Sequence, residues 1–148
     1  MIRKATIDDK EWLKSCYKKF HREISHNLID MPSDEIQDDI AIDIIESFIC
    51  VIAENDSGER VGFAAAALCD KIFDPASLAL SEFSLWVDPS SRADGHGLDL
   101  VGALVEIAKK TNLVNEVTVK IDPRSEFFYN SLIDMGFSPT GMEFSRRI

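Results

Sequence analysis

The chain is 148 residues long and carries a net charge of −10, from 16 basic and 26 acidic side chains. This charge argues against binding nucleic acid through its phosphates, and no apolar window is long enough to predict a membrane span. The length and a hydrophobic content of 45% predict one domain over residues 1–148. Cys16, Cys50 and Cys69 lack metal-ligand spacing, which predicts reduced thiols in a cytoplasmic protein and no metal site.

The first third of the chain predicts a short strand followed by two helices. Residues 2–6 are typical of a strand, and Asp8 with Glu11 three residues later resembles an N-cap with its capping-box partner. The apolar side of the helix after this cap consists of Trp12, Leu13, Cys16, Tyr17, Phe20 and Ile24. Ser33 is predicted to cap a second helix, whose apolar side is formed by Ile36, Ile40 and Ile44.

The remaining elements alternate between strands and helices. Apolar runs bounded by turn residues predict strands at residues 48–53, 60–68, 80–87 and 116–121. Helical periodicity predicts helices over residues 98–108 and 125–135. Residues 70–79 are predicted to form a loop, and Gly136 is suited to end the last helix. Residues 137–148 have room for at most two short strands.

A junction with two glycines joins the strand at residues 80–87 to the helix that follows. Its sequence is Arg92-Ala93-Asp94-Gly95-His96-Gly97. The first N–H groups of a helix lack partners and the helix dipole places about half a positive charge there, so the junction predicts an anion site. Leu98 and Asp99 after the last glycine exclude a P-loop, and two glycines are too few for the dinucleotide fingerprint. An ordinary strand–loop–helix connection is the alternative.

The pattern Val87-x-Pro89-x-x-Arg92-x-x-Gly95-x-Gly97 resembles the acetyl-CoA pyrophosphate loop of the GNAT superfamily of N-acyltransferases. The predicted order β-α-α-β-β-β-α-β-α-β is similar to that of a GNAT domain. Residues 129–137 resemble the F-Y-x-x-x-G-F region of the family, with three residues more between Tyr129 and Gly136-Phe137. The resemblance implies an α/β (α+β) fold of the GNAT type, with a mixed central sheet of about six to seven strands flanked by about four helices.

The same resemblance implies transfer of an acetyl group from acetyl-CoA, as co-substrate, to a primary amine of a small molecule or protein. The residues that it implies for binding CoA are Trp86, Val87, Arg92, Ala93, Asp94, Gly95, His96, Gly97, Leu98 and Asp122. Asp94, Asp99 and Asp122 are acidic where the family usually has basic or neutral residues. These departures favour the alternative function, a catalytically degenerate domain that serves as a structural or interaction module.

Two residues are candidates for proton transfer. Tyr129 matches the family tyrosine that protonates the departing CoA sulfur, and a phenol with a pKa near 10 suits a thiolate leaving group. Glu82 is the candidate base, because a Glu among apolar neighbours can have a raised pKa and act through water. Strand alternation predicts that Glu82 shares a face with Ser84 and Trp86. A packed aromatic at Tyr129, an exposed Glu82, or His21 or His26 as the base are the alternatives.

The partner is predicted to be an amine-bearing acceptor, with no nucleic acid and no membrane. Residues 24–59 contain ten acidic side chains and neither Lys nor Arg. This stretch is compatible with a solvated acidic face or with a field that attracts a cationic acceptor such as a polyamine. The sequence is also compatible with a homodimer.

Overall fold

A computed structural model describes residues 1–25, 30–121 and 125–141. Its strands are β1 (Ile2–Lys4), β2 (Ile49–Glu54), β3 (Arg60–Lys71), β4 (Asp74–Val87) and β5 (Val114–Thr118). Its helices are α1 (Lys10–Ser25), α2 (Asp34–Glu46), α3 (His96–Lys110) and α4 (Glu126–Asp134). Short 3-10 helices lie at Ile7–Asp9 and Pro89–Asp94.

The strands form one mixed sheet in the order β1-β2-β3-β4-β5. β1 pairs with β2, β2 with β3 and β3 with β4 in antiparallel fashion, whereas β5 runs parallel to β4. The described part of the chain therefore has the four helices expected but five strands rather than six to seven. Residues 137–141 are not a strand, since Pro139 cannot donate to a ladder, and residues 142–148 lie outside the described residues.

Each face of the sheet is covered by its own helices. Leu13 and Cys16 of α1 and Ile44 and Ile45 of α2 pack with Phe63 and Trp86 on one face. Leu100 and Leu104 of α3 pack with Leu80, Val51 and Ala66 on the other face. These two apolar clusters show which face a strand side chain occupies.

The beginning of α1 is capped differently from the prediction. The Asp9 carboxylate, rather than Asp8, accepts the Thr6 N–H at 2.8 Å, and the Asp9 N–H donates to the Thr6 carbonyl at 2.9 Å. A short 3-10 turn thus precedes α1, and the capping pair, Thr6 with Asp9, lies two residues earlier than predicted. Ser33 caps α2 as predicted, because its Oγ accepts the Ile36 N–H at 3.4 Å.

The buried side of α2 also differs from the prediction. Ala41, Ile44 and Ile45 are buried, whereas Ile36 and Ile40 are largely exposed. Residues four apart are offset by about 40° around a helix of 3.6 residues per turn, so a stripe of every fourth residue drifts off the buried side. The isoleucine pattern therefore predicted the helix correctly and its N-terminal contacts wrongly.

The loop predicted at residues 70–79 is wrong, because β3 and β4 form one long hairpin there. Cys69 pairs with Ala79 and Asp70 with Leu78, so only the tip at Ile72 and Phe73 is left outside the two strands. The acidic residues and Pro75 that suggested a loop lie at the far end of the hairpin. Pro75 is the second residue of β4, near the end of a strand, where a missing donor is tolerated.

A β-bulge interrupts β4 at Phe83. Ala65 of β3 pairs with Ser84 while the next residue, Ala66, pairs with Glu82, so Phe83 is an extra residue on β4. Glu82 therefore lies on the α3 face with its partner Ala66, and Ser84 and Trp86 lie on the α1–α2 face. The predicted shared face of these three residues is wrong, because the bulge shifts the alternation by one residue.

Candidate functional site

The junction between β4 and α3 is built around the backbone of Gly95. A 3-10 helix follows β4, and its first turn is held by Asp88, whose Oδ1 accepts the Ser90 N–H at 3.1 Å. Gly95 then adopts a φ of +83°, which other residues rarely adopt. Its carbonyl accepts the N–H groups of Leu98 and Asp99, which begins the helical hydrogen bonding of α3. The predicted strand-to-helix junction is confirmed, and the helix begins two residues earlier than predicted.

The second glycine has a packing role. A Cβ placed on Gly97 would lie 3.0 Å from Cε2 of Phe128, which is tighter than ordinary contact. Gly97 thus allows the aromatic ring of α4 to rest on the first turn of α3. At Gly95, by contrast, nothing lies within 4 Å of a built Cβ, so the space beside this glycine is open. The open space at Gly95 is the part of the junction that a ligand could approach.

The Arg92 side chain is held by α1 and by the end of β4. Its Nε donates to the Val87 carbonyl at 3.0 Å, and its Nη2 pairs with Glu23 Oε2 at 2.6 Å. Glu23 also accepts the indole N–H of Trp86 at 3.2 Å, and Lys19 Nζ lies 5.5 Å from the centroid of that ring. Sequence reasoning missed Glu23, because it lies on the polar side of an amphipathic helix and belongs to no motif.

Among the strands of the described residues, none pairs with one edge of β4 beyond the bulge. β5 pairs with β4 only between Leu78 and Ser81, and after Thr118 the chain diverges from β4. Among residues 1–25, 30–121 and 125–141, no strand pairs with this edge over residues 83–87. A row of backbone donors and acceptors therefore leads from the bulge to the glycine junction, where an extended ligand could pair with it.

Glu82 is buried where β4 and β5 diverge. Its side chain accepts the Lys120 N–H at 3.0 Å, and the residue is 5% exposed. Burial raises the pKa of the Glu82 carboxyl, while the hydrogen bond and the charge of Lys120 oppose that rise. Of the two alternatives for Glu82, a buried carboxyl and an exposed one, the structure thus shows the buried carboxyl.

Most of the remaining predicted site residues lie in α4 or at the junction between β4 and α3. Tyr129 is a partly exposed residue of α4 and directly follows Phe128, the residue in contact with Gly97. Ala93 and Asp94 are exposed in the 3-10 helix, and His96 is half-buried at the first position of α3. Asp122 and His26 lie outside the described residues.

A pocket of about 320 Å³ opens on the α1–α2 face of β4, beside the bulge. Its lining includes Tyr17, Ile40, Asp43, Phe48, Phe83 and Ser84. Tyr17 donates a hydrogen bond to Ser84 Oγ at 2.7 Å, and burial raises the pKa of the Tyr17 hydroxyl to about 12. The pocket depends on the bulge, which brings Phe83 and Ser84 to the same face, so strand alternation could not reveal it.

The acidic stretch is not one continuous face. Lys14 Nζ lies 3.2 Å from Asp34 and 2.6 Å from Asp38, and Arg3 pairs with Glu54 at 2.7 Å. Several of the acids are therefore used to join α1 to α2 and to fasten β1.

Within the described ranges, no group of three His, Cys, Asp or Glu side chains could hold a metal ion. No helix in the same ranges has both the length and the apolarity that crossing a membrane requires.

The sequence matches one known family, and the fold matches solved structures. A family model described as "Acetyltransferase (GNAT) family" matches residues 10–133. No curated protein matches the chain at a significant level.

Three of the similar structures are acetyltransferases. A Trypanosoma brucei acetyltransferase has 19% identity and a TM-score of 0.73, with 100% of this chain and 99% of that chain covered. An aminoglycoside acetyltransferase from an uncultured soil metagenomic sample, in complex with sisomicin, has 14% identity, a TM-score of 0.75 and coverages of 100% and 95%. AAC(6′)-Iy, in complex with the bisubstrate analog CoA-S-monomethyl-acetylneamine, has 20% identity, a TM-score of 0.73 and coverages of 100% and 97%. At these identities the similarity establishes the fold.

Proposed function

Because the chain belongs to the GNAT family of acetyltransferases, we propose that it transfers an acetyl group from acetyl-CoA to a primary amine of a small molecule or protein. The observation that carries this proposal is the free edge of β4 over residues 83–87, which leads directly into the glycine junction. We further propose that residues 1–148 act as one catalytic domain in the cytoplasm.

The geometry of the junction fits a CoA thioester. The free strand edge presents backbone groups with which the amides of an extended pantetheine arm can pair. The N-terminus of α3 and the open space at Gly95 suit a pyrophosphate group. Asp94 and Asp99 are exposed, so their carboxylates can turn into solvent away from a bound anion. Acetyl-CoA would supply the acetyl group in activated form, as a thioester.

The proton balance of the transfer assigns a task to each candidate residue. The acceptor, which is an ammonium at neutral pH, must lose one proton before its nitrogen forms the new C–N bond. A second proton leaves the nitrogen as the C–S bond breaks, and the departing sulfur takes up one proton. We propose that Glu82 accepts a proton through water and that Tyr129 delivers the proton to sulfur. The raised pKa of Glu82 supports its role, because such a carboxylate is a stronger base than an ordinary one.

The degenerate-module alternative has one specific observation in its favour. Arg92, the cation of the predicted pyrophosphate loop, is already paired with Glu23, and two exposed carboxylates lie close by in the sequence. A thermal shift with acetyl-CoA separates the two functions, because ligand at 100 times its dissociation constant stabilises a binder by about 2.7 kcal/mol.

The test of the proposed function combines that shift with a turnover assay. The protein is incubated with acetyl-CoA and a panel of primary amines, and release of free CoA thiol is followed. We expect a shift of several degrees and amine-dependent thiol release. A protein that shows neither would be a non-catalytic module.

A further inference from the structure

We propose that the pocket beside the bulge binds the acceptor, and that the acceptor is a small primary amine with an aromatic or branched alkyl group. We call this site the bulge pocket and define it by Tyr17, Ile40, Asp43, Phe48, Phe83 and Ser84. The inference rests on the proposed function, since it names the substrate class of the same reaction.

The walls of the bulge pocket favour an apolar group. Phe48 and Phe83 meet edge to face with their ring centroids 5.2 Å apart. Three large apolar side chains of the lining stay exposed to water: Phe48 (40%), Phe83 (40%) and Ile40 (39%). Burying such side chains is favourable. An aromatic or branched alkyl group in the pocket would cover these three side chains together. The pocket volume, about 320 Å³, is at the small end of the range for ligand pockets, which favours a compact ligand.

The charge of the bulge pocket favours a cation. Asp43 contributes a carboxylate to the lining, and among the described residues neither a Lys nor an Arg lines the pocket. Within the part of the chain that the structure describes, Asp43 makes no side-chain hydrogen bond or ion pair, unlike Asp34 and Asp38 on the same helix. Its charge is therefore available to attract an ammonium and to disfavour an anion.

The polar end of the bulge pocket lies at the strand where transfer is proposed. Ser84 belongs to β4 and lies within residues 83–87, whose free edge is the proposed thioester site. The amine can donate to the Ser84 or Tyr17 oxygen there while its apolar group rests on the aromatic walls.

These properties distinguish the expected acceptor from two other classes. A polyamine or an aminoglycoside would place additional charges or hydroxyls against Phe48, Phe83 and Ile40, and polar groups that lose water without a partner are costly. A peptide carboxylate would be repelled by Asp43. A compact amine with one charge and one apolar group satisfies both parts of the lining.

The test measures binding to the full chain by titration calorimetry, without acetyl-CoA and with phenethylamine as the probe. Spermidine, which has charge without an apolar group, and phenethyl alcohol, which has the apolar group without charge, are the comparison ligands. We expect phenethylamine to bind at least tenfold more tightly than either. Equal or tighter binding of spermidine, or no measurable binding of phenethylamine, would overturn the proposal.

Two variants and a matched control locate the binding site. Asp43→Asn should weaken phenethylamine binding by about three- to fivefold, the size typical of a partly exposed ion pair. Asp39→Asn removes the same charge from an exposed position of the same helix that does not line the pocket, and it should leave the affinity unchanged. Phe48→Ala should weaken phenethylamine binding by about three- to tenfold, because one aromatic wall is lost. Equal effects of Asp43→Asn and Asp39→Asn would contradict a specific site.

The outcome is separable from that of the proposed function. Acetyl transfer to hydrophilic amines, with no binding or acetylation of phenethylamine, would leave the proposed function intact and overturn the bulge-pocket proposal. Binding of phenethylamine with the expected variant pattern but without any acetyl transfer would leave the pocket intact and overturn the proposed function.

Discussion

Two buried carboxylates, Asp9 and Glu82, lie in different parts of the fold and have opposite environments. Asp9 is 1% exposed, and Arg3 donates to both of its oxygens at 2.8 Å. Arg60 pairs with the same carboxylate at 2.9 Å, and the Thr6 N–H donates to it at 2.8 Å. The hydrogen bonds from Arg3 lower the pKa of Asp9 to about 2, in spite of burial.

Glu82 is about as buried but has fewer partners to stabilise its charge. Its pKa is raised by burial, and the N–H and charge of Lys120 offset only part of that rise. A carboxylate fully paired with arginines fastens the structure, whereas a buried carboxylate with little compensation costs stability at neutral pH. Such costs are characteristic of functional sites, and Glu82 lies beside the free edge of β4. The comparison therefore separates a structural part of the fold, around Asp9 and β1, from the part of β4 where we propose the reaction.

The largest expected effect is at Tyr129 of α4, the proposed acid. Tyr129→Phe should lower kcat by about a hundred- to ten-thousand-fold, because a positioned acid typically contributes that much. The affinity for acetyl-CoA should be nearly unchanged, since the ring remains in place. Steady-state kinetics and acetyl-CoA titration measure the two quantities.

The matched variant for Tyr129→Phe is Tyr17→Phe, which deletes one hydroxyl from the other tyrosine of the chain. It removes the hydrogen bond to Ser84 in the bulge pocket, so we expect a higher KM for the amine and a much smaller change in kcat. A Tyr129→Phe protein with wild-type kcat, when chemistry limits the rate, would show that the proton comes from solvent.

The second largest effect is a loss of stability when the ion pairs of Asp9 are broken. Asp9→Asn removes the charge that holds Arg3 and Arg60, and breaking a buried ion pair of this kind should cost about 3 kcal/mol. Asp8→Asn is the control, because Asp8 is the exposed neighbour. Urea unfolding at neutral pH measures both free energies, and kcat should stay near the wild-type value in both variants.

The pH dependence of the Asp9 effect follows from its lowered pKa. A carboxyl whose pKa is lowered on folding contributes stability above its unfolded pKa of about 4, and this contribution is lost as pH falls toward about 2. The difference in unfolding free energy between wild type and Asp9→Asn should therefore shrink across that window. A difference independent of pH would mean that Asp9 acts through packing rather than charge.

A smaller loss of stability is expected when either of two glycines with the same backbone conformation is replaced. Gly95 and Gly58 have φ values of +83° and +78°, and no atom lies within 4 Å of a built Cβ at either. Gly95→Val and Gly58→Val should each cost about 1–2 kcal/mol, the penalty for a side chain in the left-handed region. Only Gly95→Val should weaken acetyl-CoA binding, by about tenfold or more. Equal affinities in the two variants would remove the glycine junction from the proposed cofactor site.

Much of the fold could be predicted because the signals were local. The periodicity of the helices, Ser33 as a cap and Gly136 as the end of α4 depend on neighbouring residues. At the end of α4 the Gly136 N–H bonds to the Ile133 carbonyl and the Phe137 N–H to the Leu132 carbonyl, a Schellman motif. The hairpin at residues 70–79 was missed because strand pairing outweighed the loop-forming preference of its aspartates and proline.

The parts of the candidate site that were missed depend on long-range contacts. The bulge at Phe83 arises from pairing with β3 and leaves no mark in the sequence of β4, yet it determines which residues share a face. Tyr17 and Ser84 are 67 residues apart, as Arg92 and Glu23 are 69 apart, so no motif joins them. The sequence offered Glu82 and the glycine junction as candidates, and these stay predictions, but it could not show the pocket on the opposite face of the strand.

The smallest effect on stability is expected for Glu82→Gln. This substitution should stabilise the fold at neutral pH, whereas Asp9→Asn should destabilise it. Glu82→Gln keeps an oxygen that can accept the Lys120 N–H and removes a buried charge. A carboxyl whose pKa is raised on folding contributes stability below its unfolded pKa of about 4.3 and loses it as pH rises through the folded value. Glu82→Gln should therefore raise Tm at neutral pH, by less than Asp9→Asn lowers it, and this gain should vanish below about pH 4.

The same Glu82→Gln variant should lose the acidic limb of the pH–rate profile of kcat/KM, because a base is inactive when protonated. A gain in Tm together with an unchanged acidic limb would identify Glu82 as a strained structural residue. A loss of the limb together with a gain in Tm would show that this buried charge is retained for catalysis at a cost in stability. That second outcome is the one expected, because Asp9 shows that the same fold can fully pair a buried carboxylate where no reaction is proposed.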